Sequence, residues 1–145
     1  MDPAFDVLFQ NTTRRDLVIT SLGIEICSVA HVTPYMGSPP ARKIECQAKY
    51  RLRIPDINQE IRNRGVWSDG RVLETQRVKC KVAVKPFKDM FVIERNGLFR
   101  YGLWLDGYVK NVPTNSIIRL WLQNKEGSVF LSPHIRLTHI GCFED

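Results

Sequence analysis

Two stretches of the sequence place basic residues at alternate positions. In residues 44–54 one phase carries Lys49, Arg51 and Arg53, and in residues 71–85 one phase carries Arg77, Lys79, Lys81 and Lys85. Alternate side chains of an extended chain share one face. Each stretch therefore offers a row of cations, and if the two strands are neighbours all seven residues form one positive sheet face. Such a face contacts phosphates along a nucleic-acid backbone, and each phosphate it neutralises releases counterions and adds a salt-sensitive increment of affinity. It binds without reading sequence. Stacking on bases would need aromatic rings on the same phase. Tyr50 falls on the apolar phase, and Tyr101, Trp104 and Tyr108 belong to a later segment. The plain alternative is a solvated face that serves solubility alone.

Other chemistry is thinly provided. A hydrolase would need a nucleophile, a base and an orienting acid. The chain has three histidines: His31 stands next to a Pro/Gly/Ser stretch, while His134 and His139 flank the last apolar segment near Cys142. Residues three apart on a strand face opposite ways, so Cys142 and His139 could meet only across a bend. The carboxylates Asp69, Glu74, Asp89, Glu94 and Asp106 fall at turns or on polar strand phases, which turn chemistry explains. Cys27, Cys46, Cys80 and Cys142 are widely spaced and match no compact zinc signature, so no metal or other cofactor is implied. Cys46 and Cys80 share the apolar phase of their segments, which predicts reduced and buried thiols. Neither Gly65-Val66-Trp67-Ser68-Asp69-Gly70 nor Asn96-Gly97 has the spacing of a phosphate-binding loop. Trp104 and Trp121 lie in dense apolar runs and are expected in the core, as is Trp67, whose other reading is an exposed anchor.

The elements that must position these residues are mostly strands. Residues 16–32 are rich in β-branched side chains and read as one long strand, or two with a bend at Gly23. Residues 33–40 combine Pro34, Gly37, Pro39 and Pro40 into a loop. Alternation over 44–54 and 71–85 predicts half-buried strands. Between them Asp56 can cap a short helix carrying Ile57 and Ile61 on one side, with Gly65 to end it. Asn96-Gly97 and Asp106-Gly107 between apolar runs predict two hairpins in a meander. Strands at 117–122, 128–131 and 135–143 complete the set. The expected fold is mainly β: a single-domain antiparallel sandwich or barrel-like fold with one short helix.

The chain has 145 residues, 43% hydrophobic and 25% charged, which suits one globular domain. Its 21 basic and 15 acidic residues give +6, but residues 42–88 hold 13 basic and five acidic side chains, so the excess is local. No apolar run approaches the roughly 18–20 residues of a spanning helix, and no secretory signal is visible, so a cytoplasmic or nuclear location is expected. At the start, Val7-Leu8-Phe9-Gln10 resembles the recognition sequence of a picornaviral 3C protease, with Asp6 where Glu is commoner and Asn11 where Gly would follow. Residues 1–10 are therefore set aside as tag remnant or native sequence, leaving 11–145 as the β-rich domain. The reading that follows is a non-enzymatic basic module. It binds a polyanion, foremost nucleic-acid backbone, through Lys49, Arg51, Arg53, Arg77, Lys79, Lys81 and Lys85. The alternative is a self-assembling viral structural protein of matrix or coat type, a homo-oligomer contacting nucleic acid or an acidic membrane. A hydrolase using Cys142, His134 or His139, and an adaptor using Tyr35 and Met36, are the remaining readings.

Overall fold

Fifteen consecutive residues, Leu17–His31, form the longest strand, as their β-branched content leads one to expect. A computed structural model describes residues 2–31, 48–66, 73–88 and 90–139. In chain order the elements are β1 (Ala4–Gln10), β2 (Leu17–His31), β3 (Ala48–Arg53), α1 (Ile57–Asn63), β4 (Leu73–Ala83), β5 (Phe91–Ile93), β6 (Leu98–Asp106), α2 (Tyr108–Asn111), β7 (Asn115–Asn124), β8 (Val129–Leu131) and β9 (Ile135–Thr138). The Pro/Gly/Ser stretch at 33–40, Cys46, Trp67, the turn at Ser68-Asp69-Gly70, Asp89 and Cys142 lie outside the described residues.

The strands form two sheets packed as a sandwich. Sheet A has the order β1-β6-β3, and sheet B the order β4-β2-β7-β8, with β5 also on β2 and β9 also on β7. The fold is mainly β, as the sequence predicts, with one exception to antiparallel pairing among the described residues: β3 runs parallel to β6. Inward residues of the two sheets interdigitate. Ile19, Leu22, Ile24 and Ile26 of β2 and Ile118 and Leu122 of β7 meet Leu52 of β3 and Tyr101, Leu103 and Leu105 of β6. Each such side chain contributes roughly 1.5–3 kcal/mol by leaving water. Ile57 and Ile61 of α1 close the core. The helix begins where Asp56 accepts a hydrogen bond from the Gln59 N–H at 2.9 Å and ends before Gly65 at φ +68°, both as predicted.

Residues 17–31 take the first of the two forms expected for them, one long strand: β2 passes through Gly23 without a bend, and its register shifts fall at 19/21, 26/28 and 29/31. The meander does not form. Asn96, at φ +62°, does make a tight turn, but it joins β5 of sheet B to β6 of sheet A. Positive φ at Asn-Gly fixes the turn and not the pairing of its flanks, and here the turn crosses between facing sheets. Gly107, at φ +82°, likewise starts the one-turn helix α2 in place of a hairpin, and 57–63 is the one helix longer than a single turn among the described residues. Residues 4–10 belong to the fold as well. All seven residues of β1 pair with β6, and Phe5, Val7 and Phe9 pack on the core.

The chain changes sheets repeatedly, and Asn11 ties two of these crossings together. Its backbone bonds to Gly97 O at 2.9 Å and to Asn96 N at 3.0 Å, linking the β1–β2 crossing to the β5–β6 crossing.

Candidate functional site

The seven predicted cations fall on two sheets. Lys49, Arg51 and Arg53 project from β3, an outer strand of sheet A, and all three are exposed. Arg77, Lys79 and Lys81 belong to β4, an outer strand of sheet B, and Lys85 follows it; these four are exposed too. β3 pairs with β6 and β4 with β2, so the two strands touch without pairing and the single seven-residue face does not form. Alternation fixes which face a residue takes but not which strand lies beside it.

On β4 the pairing register is interrupted although exposure still alternates from Arg77 to Val82. Between the Ile26–Cys80 and Ser28–Arg77 pairs, three steps on β4 oppose two on β2, and the extra residue is accommodated with Lys79 at φ +51°. Beyond this bulge Lys81 is engaged. Lys81 Nζ sits 4.2 Å from the centroid of the Trp121 ring, and its register partner Glu25 accepts Arg119 Nε at 3.1 Å and Nη2 at 2.9 Å. Trp121 is buried as expected, but on the opposite face of β7 from the core residues Leu120 and Leu122, lying over Gly23.

The outer face of sheet A is more open. Its rows read across three strands as Asp6–Gly102–Lys49 and Ala4–Trp104–Arg51, with Arg53 beside Asp106. Trp104 is therefore not a core residue. It shares a phase with Leu98, Arg100 and Gly102, while Phe99, Tyr101, Leu103 and Leu105 point inward. Arg51 Cζ lies 5.7 Å from the Trp104 ring centroid, and its Nη1 donates to Asp106 Oδ1 at 2.8 Å. Arg100 grips Asp6 with two hydrogen bonds, which hold the Asp6 carboxyl below the usual carboxylate range. Lys49 and Arg53 make no ion pair among the described residues. Trp104 and Arg100 were not singled out beside the cation row, although period-two counting from Leu98 to Asp106 separates them from the inward set.

The histidines stand elsewhere. His31 is buried at the end of β2, with Nδ1 3.3 Å from Thr114 Oγ1. His139 packs edge-on against Tyr108 at 5.8 Å, and its backbone N–H donates to Thr114 O at 2.9 Å. Burial pushes both imidazoles below their ordinary value, opposed at His139 by backbone groups of Val112 and Val109. His134 is exposed, and the His139–Cys142 pairing lies outside the described residues. Tyr108 hydrogen-bonds Ser116 and, through burial, is pushed up to about 12. Cys27 and Cys80 are free thiols, half-buried, and burial raises both, which makes them poor nucleophiles. Among the described residues no three His, Cys, Asp or Glu side chains gather to hold a metal, and no helix is long and apolar enough to cross a membrane.

No family model matches the chain, and no curated protein and no solved structure matches it.

Proposed function

We propose that the chain is a non-enzymatic basic β-module that binds the phosphate backbone of a nucleic acid through the outer face of sheet A. The observation that carries this reading is the exposed row Lys49, Arg51 and Arg53 on an outer strand, with Lys49 and Arg53 uncommitted to any carboxylate among the described residues. Same-face residues repeat at roughly 6.6 Å along a strand, comparable with the step between successive phosphates of an extended single strand. The Arg51–Asp106 pair is exposed at 69% and 45%, and such a pair yields readily to a phosphate because it contributes little in water. The cations of β4 are a secondary surface, since Lys81 is held over Trp121.

Charge reversal tests the assignment. The triple variant K49E/R51E/R53E is expected to lose oligonucleotide binding at low salt while keeping its circular dichroism spectrum, because exposed positions contribute little to stability. The matched variant R77E/K79E/K85E should lose much less. Equal loss in both would remove the preference for sheet A, and no loss in either would remove the polyanion reading.

A second reading, the self-assembling structural protein, is favoured by one observation. β1 ends sheet A with seven regularly paired residues that include no Lys or Pro, and Leu8 and Leu98 beside it are 63% and 62% exposed. Such an edge is a template for another strand. Light scattering should show a species larger than a monomer that L8K disperses; a monomer at every concentration removes this reading.

A further inference from the structure

We infer that Trp104 is a base-stacking platform, which makes the ligand of this face a single-stranded nucleic acid. The inference rests on the polyanion reading and names its substrate class. A face of cations alone does not distinguish duplex from single strand, because both present phosphates. A half-buried indole among them does, since only unpaired bases can offer a ring face to a protein side chain.

The surroundings of Trp104 suit this role. Its neighbours on the same face are small: Gly102 two residues before it and Ala4 opposite it on β1. Opposite it on the other side stands Arg51, whose guanidinium carbon is 5.7 Å from the ring centroid. Arginine beside an aromatic ring adds a second planar surface and a cation to the stack. Lys49 and Arg53 lie one same-face step to either side of Arg51, placed to follow the backbone while a base sits on the ring. The charge is complementary as well, four cations (Lys49, Arg51, Arg53 and Arg100) against Asp6 and Asp106. Trp121, the other tryptophan beneath a cation, is 2% exposed and has no face to offer.

The test compares W104L and W104F with wild type, using labelled oligo(dT) and oligo(U) of about 20 nucleotides, a duplex of equal length, and phosphatidylserine vesicles. Leucine keeps apolar bulk and removes the ring, so single-strand affinity should fall between about 5- and 150-fold, with phenylalanine intermediate. Duplex binding should be unchanged. In wild type, single-strand binding should also shield tryptophan emission from acrylamide, a measurement that requires no variant to fold. A W104L protein that binds single strands as well as wild type, while K49E/R53E does not, overturns the stacking role and leaves the charge reading standing. Failure of wild type to bind any oligonucleotide overturns both. Binding to vesicles alone, with a blue shift in emission, assigns the face to a membrane instead.

Discussion

Asn11 is fully buried and uses every polar atom of its side chain. Nδ2 donates to Arg15 O at 2.8 Å, Ile93 O at 3.0 Å and Glu94 O at 3.2 Å, while Oδ1 accepts from the backbone and hydroxyl of Thr13. Asn11→Ala should cost about 3 kcal/mol in a urea titration, because the carbonyls it serves lose their donor inside the protein. Asn11→Asp should cost at least as much, since a carboxylate cannot donate to three carbonyls. Gly23 is constrained by space. A Cβ there would lie 1.9 Å from Val82 O and 2.9 Å from Trp121 Cζ2, so Gly23→Ala must push backbone apart and should destabilise by on the order of 3 kcal/mol. The sequence showed neither constraint. Gly23 reads as one place where a bend is allowed and Asn11 only as the residue after Gln10, because Gly23 meets Val82 and Trp121, 59 and 98 residues on, and Asn11 meets Ile93 and Glu94, 82 and 83 residues on.

At the scale of elements, deletion of residues 1–10 should lower the melting temperature sharply or abolish folding. It strips β6 of a partner strand and exposes the core where Phe5, Val7 and Phe9 packed. A truncated protein as stable as the full chain would show β1 to be dispensable. The strands themselves were legible: residues 48–53 and 73–83 form strands inside the segments that alternation marks, and Asp56 and Gly65 bound the helix as expected. Their pairing was not. Each outer strand faces one partner chosen by the crossings, and those crossings depend on turns whose φ angles the sequence announces but whose destinations it does not. The candidate site suffered accordingly. The exposure of its cations was legible, their division between two sheets was not, and the indole beside Arg51 was assigned to the core because apolar runs conceal their outward members.

The whole molecule responds to pH through two buried imidazoles and to salt through its charged face. His31 and His139 are pushed below an ordinary value of 6.5 by burial, so the folded state favours neutral imidazole. A proton binds the unfolded chain more readily, and the stability these groups confer is complete above about pH 6.5 and declines as pH falls through the lowered values. Denaturation midpoints at pH 7.5 and pH 5 should therefore differ, and H31Q/H139Q should narrow the difference; an unchanged pH dependence would place its source elsewhere. Binding follows the charged face instead, and salt reports how many cations engage. For single strands the slope of log affinity against log salt is about −0.7 per phosphate neutralised. Three contacts from Lys49, Arg51 and Arg53 predict a slope near −2, or a loss of roughly 20-fold between 50 and 200 mM salt, whereas a seven-residue face would give a loss nearer 10³-fold. The salt titration of wild type beside K49E/R51E/R53E, with a labelled single strand, is the most direct test. A wild-type slope near −2 that flattens in the variant is the predicted result; a slope near zero in wild type, or one the variant leaves unchanged, contradicts the assignment of nucleic-acid binding to the outer face of sheet A.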